Sequence, residues 1–236
     1  MNPSGQACVA REVRIPCGDA WLYGDLTVPA GAFGVVLFVH GSGSGSGRHS
    51  ARNRLVAQRL HQAGVATLLF DLLTAQEEQL DIHTREHRFD IALLTSRLQL
   101  ATTWATAQSD LQGLPIGYFG ASTGSAAVTI AAARLGRQIG AVVSRGGRPD
   151  LAGPVALAAV TAPTLLIAGG ADPGMTGLNE DSLAHLTCEK RMVIVEGATH
   201  LFEEKGALEA VGELAADWFG AHLAHQQPGN ASSIQA

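Results

Sequence analysis

From residue 35 onward the sequence alternates short apolar runs with longer amphipathic segments, and this alternation constrains the fold more than any other feature. The runs VVLFV (35–39), VATLLFD (65–71) and TLLIAGG (164–170) have the length and apolar content of buried strands. Parallel neighbours need a crossover between them, so repeated alternation of strand and helix predicts a mostly parallel sheet with helices on both faces. The predicted fold class is therefore α/β.

The same patterns predict the individual elements. The predicted strands are 9–15, 21–28, 35–39, 65–71, 114–120, 139–144, 164–170 and 191–197. The predicted helices are 51–62, 89–107, 123–135, a segment near 178–186, and 207–223. The first two strands alternate apolar with polar side chains, which is typical of a half-exposed hairpin. The stretch 72–87 is polar and irregular and predicts no regular element.

Length and composition predict one globular domain. The chain has 236 residues, of which 46% are hydrophobic and 16% charged, enough to build one sizeable core. We expect a single domain over 1–225 and a flexible, polar tail over 226–236. The formal net charge of -5 and a pI near 6.0 provide no basic stripe, so we expect no nucleic-acid partner.

Cysteine content and hydropathy favour a cytoplasmic protein. Three scattered cysteines without a CxxC motif indicate neither a disulfide framework nor a thiolate metal site. The first residues show no apolar segment behind a basic one, so no signal peptide is predicted. The charge-free run 151–171 is divided by Pro163 and by Gly169-Gly170, so it predicts a short helix, a turn and a strand. We therefore expect no membrane partner, and the sequence does not indicate the oligomeric state.

The strongest local motif is GYFGASTGSAA (117–127), which places Ser122 in a G-x-S-x-G pentapeptide between a predicted strand and a predicted helix. A serine on such a sharp turn needs small flanking residues, and the turn lifts its hydroxyl clear of the sheet. The motif therefore predicts a nucleophilic serine. The alternative is that Ser122 only caps the following helix, because serine is a common N-cap residue.

A nucleophilic serine needs a histidine base and a carboxylate that orients it. Asp172 follows the strand TLLIAGG and His200 follows the strand RMVIVEG, which gives the chain order serine, acid, histidine. Parallel strands end at one edge of the sheet, so these three side chains are predicted to converge there. Asp150 is the second candidate for the acid. The competing interpretation makes Asp172 an ordinary helix-initiating residue and His200 a surface residue.

The segment HGSGSGSG (40–47) follows a predicted central strand. In a site of this architecture the loop after that strand donates one backbone N–H to the oxyanion, and the residue after the nucleophile donates the other. We predict Ser42 and Thr123 as these donors. Gly43 is an equally placed alternative to Ser42.

Together, HGSGSG, GYFGASTG, GGADP and GATHLF resemble the α/β-hydrolases, and more closely the serine members of the dienelactone hydrolase-like group. The resemblance covers about residues 9 to 224. It implies the eight-stranded α/β-hydrolase sheet, a triad of Ser122, Asp172 and His200, and hydrolysis of esters or lactones without cofactor or metal. Dienelactone hydrolases proper carry a cysteine nucleophile, so the serine at this position favours a carboxylesterase acting on small-molecule esters.

Only the connector 145–163 separates the sixth predicted strand from the strand before Asp172. This length leaves room for one short helix, so we expect no large cap domain and an open site for small acyl groups. Arg145 lies in this connector, where its guanidinium could bind a substrate carboxylate or brace a catalytic loop. The other interpretation is an exposed arginine that braces a surface loop.

Three other interpretations compete with the hydrolase prediction. The glycine loop 41–47 with Asp71 at the end of the next strand partly matches a dinucleotide-binding fingerprint of an NAD(P)-dependent oxidoreductase. His83 and His87, with Asp81 and Glu86 nearby, have metal-ligand spacing but no clear third ligand, so we predict no metal site. A hydrolase fold without chemistry, acting as a binding module, is the third.

Overall fold

The computed structural model describes residues 8–40 and 47–224, and its strands form one eight-stranded sheet with the order β1-β2-β4-β3-β5-β6-β7-β8. The strands are β1 Cys8–Cys17, β2 Ala20–Pro29, β3 Gly34–Val39, β4 Val65–Phe70, β5 Ile116–Ala121, β6 Ile139–Arg145, β7 Thr164–Gly169 and β8 Lys190–Val195. The helices are α1 Ala51–Gln62, α2 Ala75–Thr84, α3 Ile91–Thr106, α4 Gly124–Leu135, α5 Gly153–Ala159, α6 Pro173–His185 and α7 Ala207–Leu223. The predicted mostly parallel α/β sheet is confirmed.

Every antiparallel pair among the eight strands includes β2. β1 pairs with β2 as a hairpin, and β2 is antiparallel to β4, whereas β3 to β8 pair in parallel. Side chains of β1 and β2 alternate between buried and exposed positions. All residues of β3, β4, β5, β6 and β7 are buried, because helices cover both faces of the sheet there.

The two faces of the sheet carry separate apolar clusters. On one face α3 and α4 pack over strand side chains such as Leu37 and Tyr118. On the other face α1 and α7 pack over neighbouring side chains such as Phe38 and Phe119, whose rings stack with centroids 4.8 Å apart. Successive residues of a strand point to opposite faces, so each apolar run of two or more residues supplies both clusters.

The expectation of an irregular segment over 72–87 is wrong, because α2 occupies most of it. Thr74 and Glu77 form a capping box in which each side chain accepts a hydrogen bond from the other residue's backbone N–H. Asp81 is the only buried residue of the helix. Without an apolar stripe, the segment lacks the periodicity by which a packed helix is recognised in a sequence.

The connector between β6 and β7 is short, as expected. It contains one 3-10 turn, Pro149–Ala152, and the seven-residue helix α5. The charge-free run 151–171 therefore forms a short helix, a turn and the strand β7, as predicted. No large cap covers the sheet edge within the described residues. No helix in 8–40 or 47–224 is long and apolar enough to cross a membrane.

Candidate active site

The three predicted site residues lie in loops at one edge of the sheet. Ser122 follows the last residue of β5, Asp172 follows β7 by three residues, and His200 follows β8 by five. These strands are parallel neighbours in the order β5, β6, β7, β8, so their carboxyl ends share that edge. Open α/β sheets bind ligands in the crevice outside the carboxyl ends of their strands.

Ser122 lies on a strained turn. Its φ of 51° is in the left-handed region, and only Arg85 and Phe202 share a positive φ among the described residues other than glycine. The Ser122 carbonyl accepts hydrogen bonds from the backbone N–H groups of Ser125 and Arg148, at 3.0 Å each, which hold the turn. Such strain persists only where surrounding contacts impose it, and it is common at catalytic residues.

The interpretation of Ser122 as a helix cap is wrong. Helix α4 begins at Gly124 with Thr123 at the N-cap position, and no side chain caps this helix end. The left-handed φ of Ser122 also departs from the extended backbone that N-cap residues typically adopt. The Ser122 hydroxyl is therefore not engaged in capping α4.

The glycines of the G-x-S-x-G motif permit close backbone approaches. A Cβ atom on Gly124 would lie 2.5 Å from the Val39 carbonyl oxygen and 2.8 Å from that of His40. A Cβ on Gly120 would lie 2.8 Å from the Cα of Ser125. Any side chain at either position would separate the turn from the end of β3 or from α4. The close approach at Gly124 places the end of β3 and His40 beside the G-x-S-x-G turn.

Asp172 contacts both His200 and the start of α6. Its Oδ2 atom lies 3.2 Å from Nδ1 of His200, and its Oδ1 accepts the N–H of Met175 at 3.4 Å as the N-cap of α6. Asp172 is therefore at once a helix-initiating residue and the partner of the histidine. Helix α6 begins at Pro173, five residues before the predicted segment, because Asp172 caps it and proline suits its first position.

Asp150 is paired elsewhere. Both of its carboxylate oxygens bind the guanidinium of Arg148, at 2.9 Å from Nε and 2.8 Å from Nη2. The structure thus brings Asp172, and not Asp150, to His200.

The His200 turn has supports that sequence reasoning did not single out. Gly146 has a φ of +50°, and a Cβ there would lie 2.9 Å from the His200 carbonyl oxygen and 3.7 Å from its Nδ1. Thr199 donates to Glu204 from its hydroxyl at 2.6 Å and from its backbone N–H at 3.1 Å. These hydrogen bonds lower the pKa of Glu204. Phe202, with a φ of 57°, is fully buried beneath the turn. In the sequence, the only indication that Gly146 supports this turn was the pair Gly146-Gly147 after β6.

The predicted oxyanion donors are only partly described. Thr123 is buried at the amino end of α4, where backbone N–H groups carry partial positive charge. Ser42 and its alternative Gly43 lie outside the described residues. Both donors therefore stay predictions.

Arg145 lies at the end of β6 with only 6% of its surface exposed. The interpretation of an exposed arginine bracing a surface loop is therefore wrong. Its guanidinium carbon lies 5.6 Å from the ring centroid of Phe202. Substrate binding by Arg145 stays a prediction.

The aspartates on which the dinucleotide-binding and metal-binding interpretations depend form hydrogen bonds or ion pairs within the protein. Asp71, the candidate ribose ligand, accepts the Arg48 backbone N–H at 3.0 Å and lies 3.3 Å from its Nε. Asp81, near the two spaced histidines, binds the Arg88 side chain and the backbone N–H groups of His87 and Arg88. Across the described ranges, no group of three or more His, Cys, Asp or Glu side chains could hold a metal ion.

An eight-stranded, mostly parallel sheet with a serine on a left-handed turn after β5 defines the α/β-hydrolase fold. The crystal structure of dienelactone hydrolase from Anabaena variabilis is 55% identical, covers 92% of this chain and 99% of its own, and superposes with a TM-score of 0.88. This chain belongs to the dienelactone hydrolase-like group of the α/β-hydrolases. An esterase domain from Rhodothermus marinus shares the fold at 18% identity, with a TM-score of 0.72 over 91% of this chain and 100% of that one.

The curated relatives are longer than this chain, and their name differs from that of the dienelactone hydrolase structure. Two Mycobacterium tuberculosis proteins, from strains CDC 1551 and H37Rv, are provisionally named phosphoribosyl transferases and are each 52% identical over 217 residues. That alignment covers 92% of this chain but 47% of each relative, so the chain spans about half the length of the curated proteins it matches. No family model matches the chain.

Proposed function

We propose that this chain hydrolyses carboxylic esters through an acyl-enzyme formed on Ser122. The observation that carries the proposal is the pairing of Asp172 with Nδ1 of His200 at 3.2 Å, at the sheet edge where Ser122 lies on its left-handed turn. A carboxylate on Nδ1 fixes the tautomer that leaves Nε2 free to accept a proton. This is the arrangement that acyl transfer to a serine requires.

In the proposed reaction, Nε2 of His200 takes the hydroxyl proton of Ser122 while the serine oxygen attacks the ester carbonyl. The tetrahedral intermediate collapses, and His200 returns the proton to the departing alcohol. A water molecule then attacks the acyl-enzyme, again with His200 as base, and releases the carboxylic acid and free Ser122. The backbone N–H of Thr123 and one from the glycine loop, Ser42 or Gly43, stabilise the oxyanion.

The proposed substrates are small-molecule esters, including lactones, and the reaction needs no cofactor. The short connector containing α5 leaves this edge of the sheet open, which favours small acyl groups over a long buried chain. This chain and the dienelactone hydrolase structure align over nearly the full length of both. We therefore do not extend the phosphoribosyl transferase name of the curated relatives, of which the match covers 47%, to this chain.

The test is hydrolysis of p-nitrophenyl butyrate by the wild type, by Ser122→Ala and by Ser96→Ala. Ser96 is an exposed serine on α3 whose hydroxyl bonds only the helix backbone, so its variant controls for loss of a serine. We expect turnover in the wild type and in Ser96→Ala, and none in a folded Ser122→Ala protein. An organophosphate probe should label the same two proteins. Wild-type rates in Ser122→Ala would exclude Ser122 as nucleophile.

A further inference from the structure

Asn179 is a fully buried residue of α6 that the proposed reaction does not use. Its Nδ2 atom donates two hydrogen bonds, to the carbonyl oxygen of Gly147 at 3.0 Å and to that of Met175 at 2.8 Å. Because both neighbours are acceptors, the orientation of the amide is fixed. Its Oδ1 atom has no hydrogen-bond partner within 8–40 and 47–224. A buried acceptor without a partner costs stability, so this side chain calls for a role in which its donated bonds are needed.

The Gly147 carbonyl belongs to a three-residue segment, 146–148, that contacts the turns of both the proposed nucleophile and the proposed base. Gly146 approaches the His200 turn so closely that a Cβ atom on it would lie 2.9 Å from the His200 carbonyl oxygen. At the other end of the segment, the Arg148 backbone N–H donates to the Ser122 carbonyl at 3.0 Å. The position of the 146–148 segment therefore sets the separation between the two turns.

Gly147, in the middle of this segment, lies against two buried serines. A Cβ atom on Gly147 would lie 2.1 Å from the hydroxyl oxygens of both Ser125 and Ser144, and the Ser144 hydroxyl donates to that of Ser125 at 2.8 Å. The two serines restrict the Cα atom of Gly147, whereas Asn179 restricts its carbonyl. The 146–148 segment is therefore held both by α4 and β6, which carry the serines, and by α6.

We propose that Asn179 is a positioning residue: through the Gly147 carbonyl it holds the 146–148 segment, so that the Ser122 hydroxyl and the His200 ring keep the separation that proton transfer requires. The proposal rests on the function proposed above. A misplacement of about 1 Å can cost about 100-fold in rate. Asn179 also lies about two turns after Asp172. The same side chain therefore connects the helix that the proposed acid caps to the turn of the proposed nucleophile.

The test is Asn179→Ser, assayed with p-nitrophenyl butyrate. A serine hydroxyl on a helix can bond the carbonyl four residues back, here that of Met175, but it has no second donor for Gly147. We expect kcat to fall by about 10- to 100-fold in the folded variant. KM should change little, because His200 acts as base in both acylation and deacylation and both steps slow together. Labelling of Ser122 by an alkyl fluorophosphonate depends on the same proton transfer and should slow by a similar factor.

The control is Ser182→Ala, in the next turn of the same helix. Ser182 is also buried, and its hydroxyl donates to the Leu178 carbonyl at 2.7 Å within α6. Both variants should lose stability in urea unfolding, because each removes a buried hydrogen bond. Only Asn179→Ser should lose kcat and labelling rate. Circular dichroism checks that each variant is folded.

Two results would overturn the proposal. Wild-type kcat and labelling rate in Asn179→Ser would leave Asn179 a purely structural role, and equal losses in Ser182→Ala would indicate a general effect of loosening α6. If Asn179→Ser does not fold, Asn179→Ala replaces it with the same expected loss of kcat, since alanine adds no unsatisfied polar group of its own. Wild-type protein that neither hydrolyses the ester nor reacts with the fluorophosphonate would instead contradict the hydrolase function on which the proposal rests.

Discussion

Two polar regions of this molecule use the same residue types in opposite ways. Around α2, the polar groups pair with one another: Thr74 and Glu77 form a reciprocal cap, and the buried Asp81 receives hydrogen bonds from Arg88 and its neighbour. At the carboxyl edge of the sheet, the buried Thr123 hydroxyl and Arg145 Nε have no hydrogen-bond partner among the described residues. The first region stabilises a local fold, whereas the second contains the residues for which we propose catalysis.

Two aspartates make this contrast measurable. Asp81 is buried and accepts hydrogen bonds from a guanidinium and two backbone N–H groups. Asp172 is a quarter exposed and accepts one backbone N–H, with His200 at its other oxygen. We expect loss of Asp81 to reduce stability and loss of Asp172 to reduce activity.

The largest expected effect is that of Asp172→Asn on turnover. Asparagine keeps the N-cap of α6, but its amide favours the wrong tautomer of His200. We expect kcat for p-nitrophenyl butyrate to fall by about 10⁴-fold while the thermal midpoint changes little. A kcat within tenfold of the wild type would remove Asp172 from the proposed triad.

Asp81→Ala should reduce stability and leave turnover nearly unchanged, the reverse of Asp172→Asn. Burial alone would raise the pKa of Asp81, but the hydrogen bonds from Arg88 and two backbone N–H groups lower it below its ordinary value. Removing the carboxylate leaves Arg88 without its partner, so urea unfolding should show a loss of about 3 kcal/mol. The wild type should also lose this stability as the pH falls through the lowered pKa. The matched variant is Glu86→Ala, an exposed residue nearby, and equal stability of the two variants would contradict this account.

Gly146→Ala tests the support beneath His200. The added methyl group would meet the His200 carbonyl at 2.9 Å at a φ of +50°, so the turn must shift. Gly113→Ala is the control, since Gly113 has a φ of +78° but a Cβ added there would meet no atom within 4 Å. Both variants should lose about 1 kcal/mol of stability, and only Gly146→Ala should lose about tenfold in kcat. Equal kcat values would show that Gly146 does not position the base.

The smallest effect concerns a histidine far from the site. Burial lowers the pKa of His61 to about 4, from 6.5, and its Nε2 lies 2.7 Å from the Thr67 hydroxyl. The unfolded chain binds this proton more readily, so His61 reduces stability as the pH falls from 6.5 towards 4. His61→Gln should lessen the acid loss by on the order of 1 kcal/mol, measured by urea unfolding at pH 7 and pH 4.5. The control variant His83→Gln, at an exposed position, should leave the acid-induced loss of stability unchanged.

The sheet and the place of the site could be predicted because both depend on periodicity and chain order. Alternating apolar runs predicted the strands, and parallel strands required Ser122, Asp172 and His200 to share an edge. Helix α2 was missed because a capping box and one buried carboxylate stabilise it without an apolar stripe. The burial of Arg145 was not predictable, because it involves Phe202, which is distant in sequence and reaches the end of β6 only after folding.

The two oxygens of Asp172 are shared between the first turn of α6 and the ring of His200, so helix and base are mechanically linked. A change that lengthens or unwinds the start of α6 also moves the imidazole, even when every site residue is kept. The link operates in the other direction as well, because a shift of the imidazole also moves the carboxylate that holds the Met175 amide. Hydrogen exchange at that amide would then report movement of the base from the opposite side of the carboxylate.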